Sequence, residues 1–121
     1  MPSADLVILG GGSGGYACAL RASELGMSVI LIDKDKLGGT CLHRGCIPTK
    51  ALLHAAEIAD SSRESAHFGV NTTLHGIDMV KVNEYRDGVV SRLYKGLQGL
   101  VKSRNVTYVE GDGRLVAGDR M

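Results

Sequence analysis

Residues 4–33 read ADLVILGGGSGGYACALRASELGMSVILID. Ala4 to Leu9 is a continuous apolar run apart from Asp5, short and ending in glycine, the pattern of a buried strand. Gly10 to Gly15 turns the chain. From Tyr16 to Leu25 the apolar positions Ala17, Leu20 and Leu25, padded by Ala19 and Ala22, predict a small-residue helix packed closely on a sheet. Gly26 stands where a glycine commonly ends a helix. Met27 to Ile32 is a second buried strand, so residues 4–33 form one strand, helix, strand unit.

The turn carries Gly10-x-Gly12-x-x-Gly15, a spacing too common among glycine-rich turns to identify a site alone. Its context is stronger: a strand precedes it, a helix opens within it, and Asp33 follows 18 positions after Gly15 (33 − 15), near the ~20 of a dinucleotide fingerprint. In that reading Gly10 allows the tight turn, Gly12 the close approach of a pyrophosphate, and Gly15 the helix–strand contact. The helix N-terminus adds a partial positive charge facing the phosphates. Asp33 would accept from ribose hydroxyls; its plainer reading is an acid in a surface turn.

Leu37 to Lys50, LGGTCLHRGCIPTK, places Cys41 and Cys46 five positions apart. In a continuous helix such a pair is about 7.5 Å apart along the axis, beyond the usual disulfide Cα span of roughly 4.4–6.8 Å. If the thiols pair, Cys41 is expected on distorted or non-helical backbone, which Gly38 and Gly39 permit. A disulfide closing so short a loop stabilises little, so reversible redox chemistry is the preferred reading. Two alternatives stand beside it. Buried inert thiols fit poorly among Gly, Thr, His and Arg, and half of a zinc site lacks a second cysteine pair, with only His43 and His54 nearby. Arg44 and a helix N-terminus near Cys46 to Pro48 would both favour a thiolate.

Further along, Lys50 to about Ser62 has helical spacing through Leu52, Leu53, Ala56 and Ala59. Residues 61–76 lose that period and predict a loop with one short strand. Met79 to Ser103 is a third helix with Val82, Tyr85, Val89, Leu93, Leu97 and Leu100 as its apolar stripe. Val106 to Val109 is a strand, and Leu115 to Ala117 its expected partner in a small β-meander. The fold class expected is α/β with a central parallel sheet, Rossmann-like. Cys18, among alanines, is expected to be buried; His54, His67 and His75 are expected to be surface or helix residues.

The 121 residues are 44% hydrophobic and 22% charged, with net charge +1. No global field draws such a chain to nucleic acid or to an acidic surface. No apolar run approaches the ~18 residues of a membrane span, and no membrane partner is expected. Three cysteines are too few for a secreted disulfide scaffold. With an acidic residue near the start where a signal peptide carries basic ones, a cytoplasmic setting is expected.

The Gly10 to Gly15 turn, the acid ending the second strand and GGTCLHRGCIPTK together resemble the flavin-linked pyridine nucleotide-disulfide oxidoreductases. Within that family CIPTKALLHAAE is similar to the dihydrolipoyl dehydrogenase branch more than to the glutathione or mercuric reductases. The resemblance implies that residues 1–121 are the N-terminal part of an FAD-binding domain, with NAD-binding and dimerisation domains outside them. It implies FAD at the first fingerprint and NAD at a second site outside this chain. Gly10, Gly12, Ser13 and Gly15 would meet the pyrophosphate, Asp33 the adenosine ribose, and Gly39, Thr40 and Cys41 would run beside the flavin and pyrophosphate, with Lys34 and Gly38 also among the cofactor-binding residues.

Cys41 would be the interchange thiol, Cys46 the thiolate nearer the ring that passes electrons on, and Lys50 a cation close to flavin N5. Gly113 would meet the adenine end. The family usually has Glu at the position of Asp33. The implied reaction is oxidation of dihydrolipoamide on a lipoyl-carrier domain with NAD as final acceptor. The implied enzyme is a homodimer serving a 2-oxoacid dehydrogenase complex or glycine cleavage, and these residues alone would not catalyse it. Another disulfide reductase of the family, or a non-catalytic nucleotide-binding fragment, is the alternative.

Overall fold

The computed structural model describes residues 2–118. Three parallel strands, β1 (Leu6–Leu9), β2 (Val29–Asp33) and β3 (Thr107–Glu110), form a sheet in the order β1-β2-β3. Leu6 lies beside Val29, and Ile30 beside Thr107. Helix α1 (Ser13–Glu24) connects β1 to β2. From β2 the chain passes through α2 (Gly39–Arg44), α3 (Cys46–Glu64), a 3-10 turn (Ser65–Phe68) and α4 (Met79–Ser103) before reaching β3.

Alternation along the strands decides which face is covered. Val29 and Leu31 of β2 are buried, and Leu6, Ile8 and Tyr108 share their face. Against them pack Ala19 and Ala22 of α1, Leu37, and Val101 of α4 with the adjoining Val106. Leu31 is completely buried, a removal from water that stabilises by roughly 1.5–3 kcal/mol. On the other face Val7, Leu9 and Val109 remain exposed.

Helix α1 approaches the sheet through alanines. Ala19 and Ala22, three positions apart, form its buried stripe, and the neighbouring Cys18 is turned away by the helical twist and exposed. The expectation of a buried thiol is therefore wrong. Helix α4 has the predicted bounds because Asp78 caps it, its carboxylate accepting from the Val80 N–H at 3.0 Å and the Lys81 N–H at 3.2 Å. Its inward side is displaced from the predicted stripe. Tyr94, Leu97 and Val101 pack on the core, whereas Tyr85, Leu93 and Leu100 are exposed.

Two further expectations fail. Residues 61–76 contain no strand; the 3-10 turn continues α3, and the following segment folds back on side-chain bonds, with the Thr72 hydroxyl donating to the Ser62 carbonyl at 2.9 Å. Leu115 to Ala117 form no strand either, so the expected β-meander is absent from the described residues. Leu115 and Val116 are 91% and 80% exposed, so burial supplies nothing to hold a second ladder there.

Candidate functional site

The glycine turn ends β1 and opens α1. Gly10 has φ +107°, a backbone state that glycine alone adopts readily. Gly12 is the N-cap of α1, and among the described residues no side chain caps this helix and no acid occupies its first turn. The first amides of α1, beginning at Ser13, are thus left for another acceptor. Gly15 is required by contact: a Cβ there would lie 1.7 Å from the Gly10 carbonyl oxygen.

Asp33, at the end of β2, braces this turn. Its Oδ2 accepts from the Gly11 N–H at 2.5 Å and its Oδ1 from the Asp35 N–H at 2.8 Å. The backbone adds to the clamp, with Gly10 N–H donating to the Ile32 carbonyl and Gly111 N–H to that of Asp33. Beside these atoms is a cavity of about 190 Å³ where Gly10, Asp33, Lys34 and Gly113 come together. A Cβ on Gly113 would stand 2.6 Å from Leu9 Cδ2 and narrow it. Nearby, burial first and the charges of Asp33 and Glu110 next raise the Tyr108 pKa above 10.0.

The cysteines are carried directly against the turn. Gly38 N–H donates to the Gly11 carbonyl at 2.8 Å, and Gly39, with φ +65°, is so close to Gly12 that a Cβ would lie 2.7 Å from its Cα. Thr40 and Cys41 follow in α2, and Cys46 is the first residue of α3. Cys41 and Cys46 form a disulfide with a Cα separation of 4.6 Å. The break that permits it is not where the sequence suggests. Cys41 is helical, and the chain departs from helix at Gly45, with φ −129° and ψ −111°. Gly45 is a site residue that sequence reasoning missed; its signal is a glycine immediately before the second cysteine.

Cys46 is exposed at the N-terminus of α3, while Cys41 is partly buried. Cys41 lines an apolar cavity of about 250 Å³ with Tyr16, Leu42, Ile47, Leu93 and Leu97. Lys50 is exposed one turn beyond Cys46 on the same helix face. His43 and Arg44 are engaged elsewhere. Arg44 pairs with Asp35, and His43 Nε2 donates to the Leu37 carbonyl at 2.9 Å, its ring edge-on to Tyr94. Both line a cavity of about 600 Å³ that touches neither cysteine nor the glycine turn. Arg44 is thus paired with the Asp35 carboxylate at the surface. Among the described residues no three His, Cys, Asp or Glu side chains are placed to hold a metal ion.

This pairing of a dinucleotide-type turn with an adjoining disulfide has a counterpart among known proteins. Residues 4–120 match the pyridine nucleotide-disulphide oxidoreductase family. The chain belongs to that family. Among curated members of this oxidoreductase family, it is 46% identical over 112 residues to a dihydrolipoyl dehydrogenase of Bacillus subtilis (strain 168), covering 93% of this chain and 24% of that protein. It is 44% identical over 115 residues to a mitochondrial dihydrolipoyl dehydrogenase of Pisum sativum, covering 93% and 23%. A leghemoglobin reductase of Vigna unguiculata is 43% identical over 115 residues, covering 93% and 22%. The chain thus spans about a quarter of the length of these pyridine nucleotide-disulphide oxidoreductases.

Proposed function

We propose that this chain forms the N-terminal part of the FAD-binding domain of a dihydrolipoyl dehydrogenase. In this reading the full protein oxidises dihydrolipoamide and passes the electrons to NAD, bound outside these residues. The observation that carries the reading is the Cys41–Cys46 disulfide mounted on helices whose first glycine packs against the glycine turn. A stabilising cross-link has no need of a dinucleotide turn beside it, whereas a redox pair that hands electrons to a bound cofactor does.

The residues fit a dinucleotide. Gly10, Gly12 and Gly15 leave the turn without side chains, and the uncapped α1 amides, with Ser13, suit a pyrophosphate. Asp33, Lys34 and Gly113 line the cavity proposed for the adenosine end. Gly38, Gly39, Thr40 and Cys41 lead from the turn toward the flavin, and Lys50 supplies a cation near its ring. FAD, when bound, supplies a two-electron acceptor.

The protein's own steps are thiol–disulfide exchange. A thiolate of the dithiol substrate attacks Cys41 Sγ, forming a mixed disulfide and expelling Cys46 as a thiolate. The second substrate thiol, deprotonated, then attacks the substrate's first sulfur in the mixed disulfide, forming the substrate S–S bond and releasing Cys41 as a thiolate. The substrate leaves as a disulfide, two protons are given up, and the two electrons reside on the cysteine pair. Cys46, at the start of a 19-residue helix, has its thiolate favoured by the helix dipole.

The relatives' names support dihydrolipoamide as the substrate. A lipoyl-carrier domain is accordingly the proposed partner, within a 2-oxoacid dehydrogenase complex or the glycine cleavage system, and a homodimer the proposed assembly. A cytoplasmic location belongs to the same proposal. The test is anaerobic titration of the full-length protein with dihydrolipoamide. Bleaching of a flavin spectrum, followed by NADH formation on adding NAD, is expected, and both should be lost in Cys46→Ser. A colourless protein, or a flavin that dihydrolipoamide leaves unchanged, overturns the proposal.

A further inference from the structure

Gly45 joins α2 to α3 between the two cysteines, and its missing side chain is a matter of contact. A Cβ at this position would lie 3.0 Å from the Thr40 carbonyl oxygen and 3.3 Å from Cys41 Cα. Both are backbone atoms, which cannot rotate aside as a side chain can. They belong to α2, and α2 has little freedom to retreat. Gly39 is packed on Gly12, Gly38 N–H is bonded to Gly11, Leu42 is buried, and His43 is held by Leu37. An added methyl needs a few tenths of an ångström of extra room, and with α2 held in place the simplest source of it is rotation of residue 45 toward helical values. That rotation joins α2 and α3 into one helix and carries the cysteines from 4.6 Å toward the roughly 7.5 Å axial spacing of an i, i+5 pair, outside disulfide reach.

We propose that Gly45 is a positioning residue that sets the balance between disulfide and dithiol at Cys41 and Cys46, by holding the two helices in the broken geometry the disulfide needs. This rests on the redox reading of the pair given above.

The test is made on the full-length flavin-loaded protein, equilibrated anaerobically in mixtures of oxidised and reduced dithiothreitol. In each exchange one S–S bond forms in the protein as one breaks in the oxidised reagent, which takes up the two electrons and two protons. Iodoacetamide trapping and peptide masses then give the fraction of Cys41 and Cys46 reduced. Gly45→Ala should move the midpoint about tenfold toward dithiol, while Gly88→Ala, whose Cβ meets nothing within 4 Å, leaves it unchanged.

An unchanged midpoint in Gly45→Ala, or one moved toward disulfide, overturns the inference while leaving the redox pair intact. A wild-type protein whose cysteines never exchange overturns the redox reading and this inference with it. Should Gly45→Ala fail to fold, the same substitution is made with Cys41→Ser and Cys46→Ser. Recovery of folded, flavin-loaded protein in that background supports the inference. Failure there shows that the glycine serves the backbone irrespective of the disulfide, and overturns it.

Discussion

Gly39 meets Gly12 backbone to backbone, with room for no atom between them: a Cβ on Gly39 would stand 2.7 Å from Gly12 Cα. Gly39 also has φ +65°, so an L side chain there meets two separate penalties. Gly39→Ala is expected to destabilise the full-length protein by about 2–4 kcal/mol, from left-handed backbone and overpacking together. It should also lower the ratio of flavin to protein, read from absorbance after gel filtration. A urea denaturation curve within about 1 kcal/mol of wild type would show that the two segments simply move apart.

Asp33 has each carboxylate oxygen committed to a backbone amide, Gly11 on one side and Asp35 on the other. Removing it strands the Gly11 donor in a partly buried place, while the exposed Asp35 amide can turn to water, so Asp33→Ala should cost about 1–3 kcal/mol. Flavin affinity should fall in step, because Gly11 is next to the glycines proposed to meet the pyrophosphate. Denaturant unfolding with and without added FAD separates the two effects. A variant with normal stability but weak flavin binding would show that the carboxylate serves the cofactor and not the turn.

Gly15 and Gly113 both exclude a methyl group, but against different obstacles. At Gly15 the methyl carbon would sit 1.7 Å from the Gly10 carbonyl oxygen, and at Gly113 it would sit 2.6 Å from the end of the Leu9 side chain. Backbone cannot yield where a leucine rotamer can. Gly15→Ala should lose more than about 3 kcal/mol or fail to accumulate, whereas Gly113→Ala should lose no more than about 1.5 kcal/mol. Thermal unfolding of the two variants side by side decides it, and equal losses would contradict the argument.

Asp5 and Ser28 tie the start of β1 to the start of β2. The Asp5 carboxylate accepts from the Ser28 hydroxyl at 2.7 Å and the Ser28 N–H at 2.8 Å, and these bonds hold its pKa below 3.8. A depressed carboxylate pKa contributes stability that is present above the unfolded value and lost as pH falls through the folded one. The loss should therefore begin near pH ~4 and be complete below the folded pKa. An NMR titration should give Asp5 a midpoint below 3.8, rising toward the ordinary value in Ser28→Ala; coincident curves would discount the hydroxyl.

What can be read from sequence here follows how local each cause is. The β1–turn–α1–β2 unit is legible because its apolar runs, glycines and Asp33 are consecutive in the chain, and the bounds of α4 because Asp78 supplies its own cap. The inward side of α4 is less legible. Tyr94 and Val101 are chosen by contact with Leu37, Val106 and the sheet, and that geometry depends on segments far away in sequence. The cysteine motif shows the same division. Its spacing demands a break in the helix, but several glycines could supply one. Only the backbone of Gly45, with φ −129° and ψ −111°, identifies the place. Arg44 looks like a thiol's neighbour in one dimension, and in three dimensions Asp35 has claimed it.

The contact between Gly12 and Gly39 bears on how such a site could be rebuilt. A designer who grafts LGGTCLHRGCIPTK onto another scaffold transfers the two thiols but leaves behind the surface that registers them. Grafting the glycine turn alone transfers the proposed nucleotide cradle with no redox pair beside it. The portable unit is the pair, residues 4–50, and its interlocking backbone means that each half can drift in sequence only as far as the other tolerates.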